Sequence, residues 1–163
     1  MPRERKPKAD IKRDAYSSGL GLLARREHSA RELKAKLARR GHVDDDVKKA
    51  VEQLADKRYQ SDDRFGVSIA RTRVAQGYGP HRIRAELKSH GLAEPAIRSA
   101  IAATDADWSE IAAAQVKRRF GGKAADTAER ARRAQFLLRR GFDPATVRTV
   151  TRAVVDDPAE EFD

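Results

Sequence analysis

Residues 31–41 read RELKAKLARRG, and the same pattern returns at a spacing of 50 residues, as HRIRAELKSHG at 81–91 and as ARRAQFLLRRG at 131–141. Each stretch ends in glycine, with leucine four residues earlier. Apolar residues also stand six positions after the three glycines: Val47, Ile97 and Val147. Self-similarity at a fixed period is the sequence signature of a repeat architecture. The chain is therefore predicted to contain three copies of one structural unit.

The third copy departs from the other two at one apolar position. Leu33 and Ile83 correspond in the first two copies, but the third has Arg133 there and shifts its bulk to Phe136. We therefore interpret the third unit as divergent.

Each unit is predicted to form three helices. In the first, Ser29 and Glu32 have the spacing of a capping box, Gly41 stands where a left-handed residue ends a helix, and three aspartates follow at 44–46. Helices of about 11 residues are only about 16 Å long, so each unit should pack mainly on its sequence neighbours. No strand-like alternation occurs. The predicted fold is an all-α, elongated solenoid of either hand, with three-helix repeats at 14–59, 60–104 and 105–155.

Charge divides the chain into three parts. Residues 1–13 are basic and are predicted to form a disordered arm, whereas residues 156–163 form a short acidic tail. Between them, 29 basic and 18 acidic residues leave a net charge of +11, compared with +10 for the whole chain. The predicted folded body therefore carries the basic charge, which favours a partner with an anionic surface.

Composition narrows the class of protein further. The 163 residues include no cysteine, which excludes disulfides and thiolate metal sites. The longest uncharged run, 15–24, is ten residues, whereas a membrane span needs about 20. We expect a cytoplasmic, monomeric protein without a membrane segment.

The sequence contains no recognisable catalytic machinery. It lacks a P-loop, a dinucleotide fingerprint and a nucleophile elbow, and its acidic residues cluster at helix starts. Its four histidines lack metal-ligand spacing and are predicted to be caps and solvated side chains. We expect neither enzymatic activity nor a cofactor.

Arginine outnumbers lysine 24 to 11 in the whole chain. It is concentrated on the predicted helix faces and at the predicted helix ends. Favourable interaction with helix dipoles explains any single cluster, but its recurrence in three units favours a shared anionic partner. The candidate binding residues of this kind are Arg25, Arg26, Arg31, Arg64, Arg71, Arg82, Arg84, Arg118, Arg119, Arg139 and Arg140.

The segment Gly77-Tyr78-Gly79-Pro80 is more specific than a run of charge. Its glycines permit backbone conformations closed to other residues, and Pro80 suits the first position of a helix. Tyr78 is predicted either to stand on an exposed turn, available for stacking, or to fold over the core.

Several segments together resemble the RecX family of bacterial recombination regulators. They are Leu22 to Leu33 (LLARREHSAREL) with Lys36-Leu37 and Gly41, Ser61 to Phe65 (SDDRF), Gly77 to Pro80 with Arg82-Ile83 and Glu86-Leu87, and Phe136 to Phe142 (FLLRRGF). The resemblance spans about residues 14–152. One departure is Arg58-Tyr59-Gln60, where the family commonly has glycine, tyrosine and a branched apolar residue.

The resemblance implies a non-enzymatic modulator that binds RecA filaments on single-stranded DNA along their helical groove. It implies inhibition of filament extension, ATP hydrolysis, strand exchange and LexA coprotease activity, hence a role in homologous recombination, DNA repair and the SOS response. By position, it favours Arg25, Arg26, Arg64, the 77–80 turn with Arg82, and Arg139 with Arg140. Binding to bare DNA is expected to be weak and nonspecific.

Two questions stay open at this stage. The arginines could contact DNA phosphate or recombinase carboxylates, and the filament could be capped or dismantled. The alternative function is a sequence-nonspecific DNA-binding helical protein or a helix-turn-helix regulator, although no single helix concentrates the Asn, Gln and Arg of a base-reading helix.

Overall fold

The computed structural model describes residues 13–153. The predicted basic arm, apart from Arg13, and the predicted acidic tail lie outside the described residues.

Between residues 13 and 153 the chain forms nine α-helices and no β-strand, which confirms the all-α prediction. The helices are α1 (Ala15–Leu23), α2 (Ala30–Arg39), α3 (Asp44–Asp56), α4 (Asp62–Ala75), α5 (Pro80–Ser89), α6 (Glu94–Ala102), α7 (Trp108–Phe120), α8 (Thr127–Arg139) and α9 (Pro144–Thr151).

The helices pack in consecutive groups of three. The chain divides into two compact units at Ser61 and Asp62. In the first unit, α1, α2 and α3 pack against one another; in the second, α4, α5 and α6 form one group and α7, α8 and α9 another. The predicted tandem three-helix architecture is confirmed.

Each group has its own hydrophobic core, built on the repeated positions. The leucine four residues before each repeat glycine is fully buried, at Leu37, Leu87 and Leu137. The predicted apolar positions at 47, 97 and 147 are buried as well. The 50-residue period therefore corresponds to one kind of three-helix core that occurs three times, once in each group.

The repeat glycines end the second helix of each group in the same way. Gly41, Gly91 and Gly141 have φ of +87°, +81° and +91°. In each case the glycine N–H and the next N–H donate to two carbonyls of the last helical turn, as in Gly41 to Ala38 (2.9 Å) and His42 to Leu37 (3.3 Å). This is a Schellman cap, which requires a left-handed residue after the helix. The predicted role of the three glycines is confirmed.

The departure at Arg58 is accommodated by the same backbone geometry without glycine. Arg58 has φ of +61°, and the N–H of Tyr59 donates to the Leu54 carbonyl at 2.9 Å. Gln60 is buried, and its Nε2 donates to the His28 carbonyl at 3.3 Å. The chain thus keeps the turn after α3 by placing an arginine in the left-handed region.

One histidine differs from the prediction of caps and solvated side chains. His28 is only 2% exposed, with Nδ1 at 3.0 Å from the Arg26 carbonyl oxygen and Nε2 at 3.1 Å from Lys36 Nζ. Burial lowers the pKa of His28. The sequence pattern did not reveal this burial, because one partner is the backbone carbonyl of Arg26 between α1 and α2 and the other is the side chain of Lys36 on α2.

Two absences hold for the described part of the chain. Among its helices, none combines the length and apolar character that crossing a bilayer demands. Over residues 13–153, no group of three or more His, Asp or Glu side chains is arranged to hold a metal ion.

Candidate binding surface

The turn at residues 77–80 is the most constrained segment of the predicted site. Gly77, with φ of +79°, ends α4, since its N–H donates to the Val74 carbonyl and that of Tyr78 donates to the Arg73 carbonyl. Gly79 is the N-cap residue of α5, and Pro80 is the first helical residue, as predicted. Both glycines are buried.

The turn is joined to the third group by backbone hydrogen bonds. The Gly79 N–H donates to the Arg140 carbonyl at 2.8 Å, and the His81 N–H donates to the Gly141 carbonyl at 2.9 Å. A Cβ on Gly79 would stand 2.3 Å from the Gly141 oxygen, and one on Gly141 would stand 2.5 Å from the Arg82 nitrogen. Neither position has room for a side chain, so both glycines are required by close backbone approach. We call this contact the 79–141 clamp.

Tyr78 lies between two guanidinium groups. The Cζ atoms of Arg82 and Arg140 are each 4.2 Å from the centre of its ring, the geometry of cation–π contacts. Tyr78 is half-buried. The ring is therefore neither the free stacking platform nor the core residue that the sequence allowed: its cationic neighbours come from α5 and from the end of α8.

Arg140 has a structural role besides this contact. Its Nε donates to the Gly77 carbonyl at 3.0 Å and its Nη2 to the Gln76 carbonyl at 2.6 Å. These carbonyls follow the last turn of α4 and lack helical partners. Arg140 thus stabilises the turn and holds the third group against the second.

A half-buried ion pair, which the sequence analysis did not identify, stabilises the same region. Arg73 and Glu86 form a bidentate pair, with both N–O distances 2.7 Å, and the hydrogen bonds from Arg73 hold the pKa of Glu86 below its usual value. The two residues are 13 positions apart on different helices, so no helical spacing signalled them.

In the first unit, Arg26 is engaged within the protein. It contacts Glu32 through two hydrogen bonds, the shorter 2.5 Å, and Lys36 contacts the same carboxylate at 3.2 Å. Burial raises the pKa of Glu32, but the hydrogen bonds from Arg26 and Lys36 outweigh it and lower the pKa to about 2. Ser29 Oγ accepts from the Glu32 N–H at 3.0 Å, which is the N-cap half of the predicted capping box.

The other predicted arginines fall into three sets. Arg84, on α5, is paired with Glu94. Arg31 and Arg64 are exposed residues near the starts of α2 and α4. The exposed arginines that form no ion pair with any residue between 13 and 153 are Arg25, Arg71, Arg82, Arg118, Arg119 and Arg139. This last set is available to an external anion.

The second unit therefore brings together only part of the predicted site. Tyr78, Arg82 and Arg140 are in contact, whereas Arg118 and Arg119 lie in the last turn of α7 and Arg71 on α4. Arg25, Arg26 and Arg31 belong to the first unit.

These features define a class: all-helical proteins built from tandem three-helix domains that present arginine at helix ends and on helix faces. Family models for the first, second and third three-helix domains of RecX match residues 15–54, 61–101 and 105–151. The chain belongs to the RecX family, which is a family of regulatory proteins.

Individual relatives agree with this assignment. The regulatory protein RecX of Xanthomonas axonopodis pv. citri is 45% identical over 139 residues, covering 85% of this chain and 86% of that protein. The regulatory protein RecX of Stenotrophomonas maltophilia is 43% identical over 157 residues, covering 96% and 91%. The crystal structure of RecX from Lactobacillus salivarius has a TM-score of 0.71 at 21% identity and covers 85% of this chain and 92% of that one, which shows a shared fold.

Proposed function

We propose that this chain is a negative modulator of RecA that binds RecA filaments on single-stranded DNA along their helical groove. In this proposal it inhibits filament extension, and with it ATP hydrolysis, strand exchange and LexA coprotease activity. Its cellular context is homologous recombination, DNA repair and the SOS response in the cytoplasm.

The observation that carries the proposal is the match of all three domains, in order, to a family of regulatory proteins. The charge of the chain agrees with it, since residues 14–155 have 29 basic against 18 acidic residues. A nucleoprotein filament presents phosphates and carboxylates, and a basic surface is attracted to both.

The exposed arginines are suited to this role because of where they are mounted. Arg71, Arg118 and Arg139 stand on helices, so their backbones are already ordered before binding. A guanidinium presents a planar fork of donors that matches an anionic oxygen pair. Binding through these side chains therefore costs less conformational entropy than binding through an unstructured basic segment.

The deciding experiment titrates the purified chain into RecA, ATP and excess single-stranded DNA while ATP hydrolysis is measured. With DNA in excess, competition for bare DNA has little effect. We expect inhibition at substoichiometric amounts of the chain. Full hydrolysis up to equimolar amounts would show that it is not a RecA modulator.

A matched pair of variants tests the arginine surface. Arg71→Gln with Arg139→Gln removes two exposed charges of the second unit, whereas Lys48→Gln with Lys49→Gln removes two exposed charges from α3. The arginine variant should require at least about tenfold more protein for half-inhibition, because each charge-assisted hydrogen bond contributes about 1.5–3 kcal/mol. The lysine variant should resemble the parent. Equal loss in both would mean that overall charge, and not this surface, directs binding.

A further inference from the structure

A basic cleft, open to solvent, lies on the third three-helix group, and four of its five cationic residues are exposed. It has a volume of about 790 Å³ and is bounded by α7, the segment after it, α8 and the end of α9. Small-molecule sites in proteins range from about 300 to 1,000 Å³. Its cationic residues are Lys117, Lys123, Arg130, Arg133 and Arg152. No carboxylate is among the described residues that line it.

Arg133 occupies a position that the other two repeats give to the core. Leu33 and Ile83 are the corresponding residues, and both are fully buried. The Arg133 side chain is only 8% exposed, although a buried charge is costly unless it is well paired. The third repeat therefore places an arginine where an apolar side chain would stabilise the fold.

The partners of Arg133 within the protein are incomplete. Its Nη2 donates to Glu129 at 2.8 Å, and its Cζ is 5.4 Å from the centre of the Phe120 ring. Its Nε is inaccessible to solvent and has no hydrogen-bond partner in the described part of the chain, so only the rest of the side chain borders the cleft. An unsatisfied buried donor costs about 1–3 kcal/mol, so this arrangement is not explained by stability.

Charge and shape together indicate the chemistry of a ligand. Glu129 neutralises one of the five cations, which leaves more positive charge than a single carboxylate would need. Phosphate groups in series match such a cluster, and arginine binds phosphate with its planar fork. The remaining wall is apolar, with Val116 and Val150 among its residues, and is suited to the body of a nucleoside.

We propose that this cleft binds a nucleoside di- or triphosphate. The phosphates lie among the lysine and arginine side chains, and the nucleoside lies against the apolar wall. The site is lined only by residues of the third group, and Lys117 adjoins Arg118, one of the proposed RecA-binding arginines. Its test uses the purified chain without RecA or DNA, so its outcome is independent of the proposed function.

The probe is ATP that carries a fluorescent methylanthraniloyl group on its ribose, and its anisotropy is measured during titration with the full chain. We expect saturable binding that ATP reverses and that adenosine does not. Inorganic triphosphate should compete at least about tenfold less well than ATP, since it lacks the apolar part of the ligand. A ten-nucleotide thymidine oligomer should compete less well than ATP, because it carries phosphodiesters without a polyphosphate.

Three variants locate the site. Arg133→Leu restores the residue type of the first repeat and should keep or raise the melting temperature while weakening binding at least tenfold. Arg152→Gln removes a second lining charge and should weaken binding similarly. Arg98→Gln, an exposed arginine of α6 outside the cleft, removes the same charge and should bind like the parent.

Several results would overturn the proposal. They are absence of saturable binding to the full chain, equal weakening by Arg98→Gln, and tighter competition by the oligomer than by ATP. Binding that emerges only after deletion of residues 154–163 would assign the cleft to the chain's own acidic segment and would equally overturn it. A normal melting curve for Arg133→Leu ensures that lost binding is not lost folding.

Discussion

Gly141→Ala should destabilise the second unit far more than Gly91→Ala, although both glycines end a helix in the same conformation. Their φ values are +91° and +81°, so a side chain at either site costs about 1 kcal/mol for the left-handed backbone. Gly91 is exposed, whereas Gly141 is buried and lies against the backbone of Arg82. Only Gly141→Ala therefore forces two backbone segments apart.

The additional cost follows from the clamp. A Cβ on Gly141 would lie 2.5 Å from the Arg82 nitrogen. Because that nitrogen belongs to the backbone, no change of side-chain rotamer can relieve the contact. Separation of the segments loses the two hydrogen bonds of the 79–141 clamp, each contributing about 1 kcal/mol. We expect a loss of about 3 kcal/mol for Gly141→Ala and about 1 kcal/mol for Gly91→Ala.

The assay is denaturant unfolding followed by tryptophan fluorescence. The chain has one tryptophan, Trp108, which packs against the cores of both groups in the second unit. Its emission therefore reports the unit that contains both substitutions. Equal losses for the two variants, or a smaller loss for Gly141→Ala, would refute the claim that close backbone approach requires this glycine.

Three further predictions concern other parts of the chain. Arg58→Gly should raise the free energy of unfolding by about 0.5 kcal/mol, because glycine adopts φ of +61° without the cost that arginine bears; a lower melting temperature would contradict this. The pKa of Glu32 falls from 4.5 to about 2 in the folded protein, so its contribution to stability is present above pH 4.5 and is lost as the pH falls toward 2. Glu32→Gln should therefore be less stable than the parent at pH 7 and lose less stability over that acid range, and parallel pH profiles would exclude the ion pair as the cause. Binding to bare DNA should be insensitive to sequence and fall by about 10³-fold between 50 and 200 mM salt if six phosphates are contacted, whereas one preferred sequence persisting at the higher salt would favour a helix-turn-helix regulator.

The fold was predictable because its determinants are local and repeated. The leucine and glycine of Leu37 and Gly41 recur at the same spacing in all three groups of helices. The burial of the leucine and the helix-ending geometry of the glycine follow from the period and the residue type alone. The turn at 77–80 was also recognisable from its glycines and proline. These signals lie within one helix or one turn, where sequence spacing translates directly into geometry.

The interactions of the candidate surface were less accessible for a physical reason. The partners of Tyr78, Arg82 on the next helix and Arg140 in another repeat, are set by tertiary packing. The same holds for Arg84 with Glu94, which makes a predicted surface arginine part of an ion pair. Sequence patterns located the charges but did not determine which were already engaged.

The 79–141 clamp also orders events during synthesis of the chain. The N–H groups of Gly79 and His81 receive partners from Arg140 and Gly141, about 60 residues further along. When the second group of helices leaves the ribosome, Trp108 of α7 is not yet packed against its core, and these two donors still have only water as partner. They are satisfied after α8 has emerged and its C-terminal cap at Arg140 and Gly141 has formed. The second unit therefore acquires its final stability in a discrete late step that depends on chain length, unlike an array of repeats that gains stability evenly with each copy.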